Sequence, residues 1–223
     1  MQKTLLISAA LLIILTAGSC KKSSNTPVDA GDFQPLTSGS EWNYSVTGTS
    51  TSTYKLTATG SDTLINGRVY KIFLNSTGAN DYYNKTGSNY YRYTKLAELN
   101  NQPVELLYLK DNLSNGATWI ETKTVNVSVT GLGTVPVTAQ FTFTVADKGI
   151  DYIVNGVTFK DVIKITAVPS FTALGSPIPV TAFDLQYYYA RKVGLVYSKT
   201  SMTIPLASIN VNTETKVGTY LIK

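Results

Sequence analysis

The chain has 223 residues, enough for one large domain or two intimately joined halves and too few for two distant domains with full cores. It contains no histidine and a single cysteine, which excludes Ser-His-Asp and Cys-His catalysis, histidine-bearing zinc sites and the usual proton shuttle near neutral pH. Nineteen Lys+Arg against fourteen Asp+Glu give a formal charge of +5, but the cations are scattered singly, as at Lys55, Lys110, Lys148 and Lys216, so no nucleic-acid footprint forms.

The chain opens on Met1-Gln2-Lys3, a short cationic start, followed by an apolar run from Leu5 to Leu15 broken only by Ser8. A membrane-crossing helix needs about 20 apolar residues, so this run reads as the core of a signal peptide spanning 1–19. Ala17-Gly18-Ser19-Cys20 resembles the lipobox of bacterial lipoproteins, and the resemblance implies cleavage before Cys20 and triacylation of that residue. A lone cysteine cannot staple an exported domain, which suits a covalent anchor better than a disulfide. Each buried methylene adds about 0.8 kcal/mol, so two or more acyl chains make attachment to the membrane effectively permanent.

The stretch 20–34, with Lys21-Lys22-Ser23-Ser24-Asn25-Thr26-Pro27, has no hydrophobic period and reads as a flexible tether. Under the general sorting rule for lipoproteins, Lys21 after the cysteine implies passage to the outer membrane. The acidic run that resembles a surface-export signal is absent, so the expected address is the periplasmic face of that membrane.

From residue 35 to 223 the patterning is that of strands. Trp42-Asn43-Tyr44-Ser45-Val46 and Gln140-Phe141-Thr142-Phe143-Thr144-Val145 alternate strictly, as do Val125, Val127 and Val129 with their polar neighbours. Asn66-Gly67 and Asn155-Gly156 each lie between such runs; a type I′ turn needs positive φ at both central residues, so two tight hairpins are predicted. No stretch carries a helical stripe of useful length. The expected class is all-β and antiparallel, either a β-sandwich or a strongly curved, half-barrel sheet.

An internal repeat runs through the body. Leu36-Thr37-Ser38-Gly39-Ser40-Glu41-Trp42 is answered by Leu113-Ser114-Asn115-Gly116-Ala117-Thr118-Trp119. Ile65-Asn66-Gly67-Arg68-Val69-Tyr70-Lys71 is answered by Val154-Asn155-Gly156-Val157-Thr158-Phe159-Lys160, and Tyr90-Tyr91-Arg92-Tyr93 by Tyr187-Tyr188-Tyr189-Ala190-Arg191. The reading is a duplicated β unit, residues 35–111 and 112–223, packed as one body. Gly39 and Gly116 are expected to turn the chain so that Trp42 and Trp119 enter their strands facing the core.

The lipobox followed by Lys21-Lys22, the run Phe33-Gln34-Pro35-Leu36-Thr37-Ser38-Gly39-Ser40-Glu41-Trp42-Asn43-Tyr44, the Asn-Gly hairpins and Tyr189-Ala190-Arg191-Lys192-Val193-Gly194-Leu195-Val196 together resemble small outer-membrane or periplasmic lipoproteins of Bacteroidota. The resemblance implies an envelope address; that group brings no common activity. Asp62-Thr63-Leu64 resembles the short O-glycosylation acceptor of the same bacteria.

Chemistry is sparse. Gly131-Leu132-Gly133 sits between strand signals and so is a turn, not a phosphate cradle. Asp147, Asp151 and Asp161 around the second hairpin, and Glu98 with Glu105, are the carboxylates that would have to converge for hydrolysis. No metal site and no cofactor is expected. The sharper lead is the fifteen tyrosines, with clusters at Tyr82-Tyr83, Tyr90-Tyr91 with Tyr93, and Tyr187-Tyr188-Tyr189. Neighbours in a strand face opposite ways, so some of these rings should stand off the core, where they could stack on sugars or line an apolar groove. The expectation is a non-enzymatic envelope protein, structural or binding a glycan, lipid or protein ligand, with those eight tyrosines as the candidate site and Cys20 as the lipid attachment.

Overall fold

A computed structural model describes residues 31–96, 102–129 and 133–223. Cys20, Glu98 and Leu132 lie outside them. The strands are β1 (Glu41–Gly48), β2 (Ser52–Ile65), β3 (Arg68–Asn75), β4 (Asn80–Thr86), β5 (Asn89–Leu96), β6 (Gln102–Lys110), β7 (Thr118–Val129), β8 (Gly133–Val154), β9 (Val157–Ala173), β10 (Ser176–Ile178), β11 (Ala182–Ala190), β12 (Gly194–Ile204) and β13 (Ile209–Leu221).

All of these strands join one antiparallel sheet, in the order β6-β5-β4-β3-β2-β1-β13-β12-β11-β9-β8-β7, with short β10 paired to β9 alone. Of the two forms expected, the curved sheet is the one adopted; a sandwich would require two separate ladders. The sheet curls until its edge strands, β6 and β7, nearly meet. Side chains bridge that seam. The Gln102 amide donates to the Asn126 carbonyl at 2.7 Å and accepts from the Asn126 amide at 3.0 Å, as a ladder partner would. Farther along, the Trp119 indole donates to the Leu107 carbonyl at 2.8 Å. A seam held this way satisfies edge groups that would otherwise be open to another strand.

Both Asn-Gly turns are two-residue hairpins, pairing Ile65 with Arg68 and Val154 with Val157. Their central residues carry positive φ: 51° and 78° at Asn66-Gly67, 51° and 80° at Asn155-Gly156. Each hairpin is also tied by an ion pair between residues nine apart, Asp62 with Lys71 and Asp151 with Lys160.

The two Leu-x-x-Gly-x-x-Trp segments fold alike. Gly39 has φ 81° and Gly116 φ 82°. In the first, Ser40 N–H donates to Thr37 O, Gly39 N–H to Ala58 O, and Ala58 N–H to Ser40 O; in the second, Ala117 N–H donates to Ser114 O, Gly116 N–H to Val145 O, and Val145 N–H to Ala117 O. Because the turn occupies the partner strand's backbone groups, that strand's next ladder shifts register, after Ala58 in β2 and after Val145 in β8. Trp42 is fully buried and Trp119 nearly so. The Trp42 indole donates to the Val193 carbonyl, 151 residues away, at 2.6 Å.

Buried side chains form two clusters. The larger gathers Trp42, Phe73, Tyr108, Trp119, Phe143 and Tyr189 among others. The smaller, all aliphatic but for Phe171 and Met202, draws on Val104, Val125, Val137 and Ile204. Phe33 and Gln34, on the tether side of the boundary drawn from sequence, are buried in the body. The Phe33 amide donates to the Tyr90 hydroxyl oxygen at 3.3 Å, and the Arg191 guanidinium lies over the Phe33 ring, 4.3 Å from its centre.

Candidate functional site

Between the two clusters the barrel interior is not filled. A cavity of about 280 Å³ lies there, with walls from both clusters: Tyr83, Tyr108, Phe143 and Tyr189 from the larger, Phe171 and Met202 from the smaller. Strand alternation explains which residues reach it. On β5, Tyr90, Arg92 and Thr94 share the inward face; Arg92 pairs with Tyr83 of β4, another inward residue. On β11, Tyr187 and Tyr189 face in, while Tyr188 faces out.

The polar part of the wall is built around an ion pair. Arg92 donates from Nε and Nη2 to Asp81 Oδ1, at 3.2 and 2.8 Å. Thr94 Oγ1 donates to the same oxygen at 2.8 Å, and Asn75 Nδ2 to Oδ2 at 3.4 Å. Asp81 is 5% exposed. Arg92 retains 37% of its side-chain surface although protein surrounds it, because that surface faces the cavity. Burial alone would raise the Asp81 carboxyl, but the Arg92 charge and its hydrogen bonds, with Thr94 and Asn75, hold it below the usual carboxylate range. The pair is therefore fully ionised at neutral pH.

Around it stand phenols kept neutral. Burial pushes Tyr54 up to about 12 and raises Tyr83, Tyr108 and Tyr189 further, with neighbouring phenols adding to the effect for Tyr108 and Tyr189. Tyr108 packs edge-on to Tyr83 at 6.3 Å and tilted against Tyr189 at 5.3 Å. Its hydroxyl is buried and has no hydrogen-bond partner among the described residues.

Of the eight tyrosines predicted as a binding set, the structure brings three to the cavity: Tyr83, Tyr187 and Tyr189. Tyr90 is buried beside them in the core and donates to Asp111 at 2.8 Å. Tyr82, Tyr91 and Tyr93 lie on the outer face of the first half, where Tyr82 meets Tyr93 edge-on at 5.9 Å and the Arg68 guanidinium covers Tyr91 at 3.4 Å. Tyr188 stacks on Tyr152 at 3.9 Å on the outer face of the second half. Of the eight, Tyr83, Tyr90, Tyr188 and Tyr189 are buried and Tyr82, Tyr91, Tyr93 and Tyr187 half-buried. Arg92, Tyr54 and Tyr108 line the cavity and Asp81 holds Arg92 behind it; the sequence reading singled out none of the four. Alternation could have found Arg92, which must share the face of Tyr90.

Three of the five carboxylates weighed for hydrolysis have structural partners: Asp151 with Lys160, Asp161 with Arg191 at 2.5 Å, and Glu105 with Arg68 and the Tyr70 hydroxyl. Among the described residues no group of three or more His, Cys, Asp or Glu could hold a metal.

Comparison with known proteins identifies the fold only. No protein-family model and no curated protein sequence matches the chain. A crystal structure of a candidate lipoprotein from Parabacteroides distasonis aligns over 85% of this chain and 98% of that one, at 11% identity and a TM-score of 0.50. A candidate exported protein with a YmcC-like fold from Bacteroides fragilis aligns over 86% and 99%, at 8% identity and a TM-score of 0.43. The chain shares its architecture with the Parabacteroides protein.

Proposed function

We propose that this is a lipid-anchored envelope protein that binds a small, largely apolar ligand inside its barrel and performs no chemistry on it. The observation that carries the reading is the unfilled cavity between the two core clusters. The pocket is partly open to solvent, so its apolar wall at Phe141, Phe171 and Met202 meets water, a loss that a purely structural barrel would remove by filling the space with larger side chains. The volume is at the lower edge of the roughly 300–1,000 Å³ typical of ligand sites, which favours a single small chain over an oligosaccharide or a two-chain lipid.

The address rests on the signal sequence and Cys20, and the lipoprotein description of the Parabacteroides neighbour agrees with it. Binding is tested by titrating the purified body with a fluorescent naphthyl probe. Saturable binding that is lost in Ala167→Phe, which grows a ring from the cavity wall, is expected. Equal binding by wild type and variant would overturn the reading. Replacing Cys20 by serine should move the protein from the membrane to the soluble envelope fraction, and retention at the membrane would refute the lipid anchor.

A further inference from the structure

Given that the cavity takes a ligand, we infer that the ligand enters and leaves sideways, through the seam between β6 and β7, over a sill formed by Glu121 and Lys123. Along the barrel axis the cavity lies between two packed clusters, one holding the fully buried Phe33 and Trp42, the other Val137, Ile178 and Ile204. Around the circumference each strand from β6 round to β7 is laddered to its neighbours, so passage there would have to break backbone hydrogen bonds. The seam is the exception. No ladder joins β6 to β7 among the described residues; side chains tie them at two points, Gln102 to Asn126 and Trp119 to Leu107. Between those ties, residues 103–106 face residues 120–125 without a backbone bond.

This gap stands at the height of the cavity. Leu106 of β6 lines the cavity, and so do Phe141 and Phe143 of β8, which pair with Glu121 and Trp119 of β7. The pleat turns Trp119, Glu121, Lys123 and Val125 to one side, and the burial of Trp119 and Val125 marks that side as the inner one. Glu121 and Lys123 therefore point inward. They pair at 3.2 Å and keep 16% and 27% of their side-chain surface. Lysine and glutamate are almost never held on an inner face away from water, so water reaches the interior here. Inward charges on an edge strand also oppose pairing with another strand, which keeps the gap from zipping shut.

The experiment measures rates rather than affinity alone: stopped-flow mixing with the naphthyl probe reads entry, and displacement of the bound probe by excess non-fluorescent analogue reads exit. Lys123 does not line the cavity, so Lys123→Trp narrows the opening and leaves the site as it is. Both rates should fall about tenfold while Kd stays within twofold of wild type, since a barrier slows the two directions equally. A second protein carries Val104→Cys and Lys123→Cys, neither position lining the cavity, with the chain's one native cysteine changed by Cys20→Ser. Joining the two lips by a short reducible dithiol linker should slow both rates at least tenfold, and reduction should restore them. Linked and reduced forms share one sequence and one fold, so this comparison decides even if Lys123→Trp does not fold. Rates indifferent to the linker overturn the seam as the entrance while the cavity reading stands, and exchange accelerated tenfold by Phe33→Ala in the same series would move the entrance to that end of the barrel. A probe that binds none of the proteins removes the cavity reading itself.

Discussion

The neutral phenols around the cavity predict how the barrel fails in alkali. Tyr44, Tyr83, Tyr108 and Tyr189 are each under 10% exposed, and burial raises all four above the ordinary tyrosine value of 10.0. A group whose folded value is raised contributes stability that is complete below its unfolded value and is lost as pH climbs towards the folded one. Above about pH 10, each phenol that ionises only in the unfolded chain removes about 1.4 kcal/mol per pH unit, so four together remove about 5.6 kcal/mol per unit. Against a stability of 5–15 kcal/mol, cooperative unfolding should fall between about pH 11 and 13, with far-UV circular dichroism and tyrosinate absorbance changing together. Tyrosinate forming in full near pH 10 while the strands persist would refute the reasoning. It would mean that solvent reaches these rings freely and the cavity is an open channel.

Trp42→Phe should lower stability by about 3 kcal/mol, from a Val193 carbonyl left without its donor and from the space vacated beside Phe73. For a body of this size that is a fall of roughly 6–12 °C in melting temperature, and an unchanged value would place the indole outside the core. Gly48→Ala and Gly67→Ala separate two kinds of glycine. At Gly48 (φ 120°) a Cβ would meet the Asn212 carbonyl oxygen at 2.0 Å, whereas at Gly67 (φ 78°) nothing lies within 4 Å. Thermal melts should show the second costing about 1–2 kcal/mol, the left-handed penalty alone, and the first clearly more; equal losses would show that the β1–β13 contact yields easily.

Much of this fold is legible residue by residue. Alternation at Phe141 and Phe143 correctly sends both rings inward, and the Asn-Gly pairs become the two hairpins, because these features depend on the pleat and on local φ. The tyrosine clusters were legible only in part. That Tyr82 and Tyr83 face opposite ways follows from the pleat, but that a guanidinium would cover Tyr91 and a second ring would stack on Tyr188 depends on partners from β3 and β8. The seam was not legible at all. Nothing local to Gln102 announces that its amide will stand in for a ladder with Asn126, since curvature is a property of the whole sheet.

The first run of strands, β1 to β6, and the second, β7 to β13, interlock reciprocally. Trp42 of the first half donates to Val193 of the second, and Trp119 of the second donates to Leu107 of the first, so each half's turn is secured by the other. The glycine turns, the hairpins and the ion pairs across them match position for position. Packing alone explains features that occur twice. The tyrosine runs do not match in this way: Tyr90-Tyr91-Arg92 lies on β5 and is answered in strand order by β12, whereas Tyr187-Tyr188-Tyr189 lies on β11 and answers β4, although Arg92 and Tyr189 face the same cavity. A buried ion pair is weak evidence for stability, so a guanidinium that opens on unfilled space is better explained by what enters that space than by what holds the barrel together.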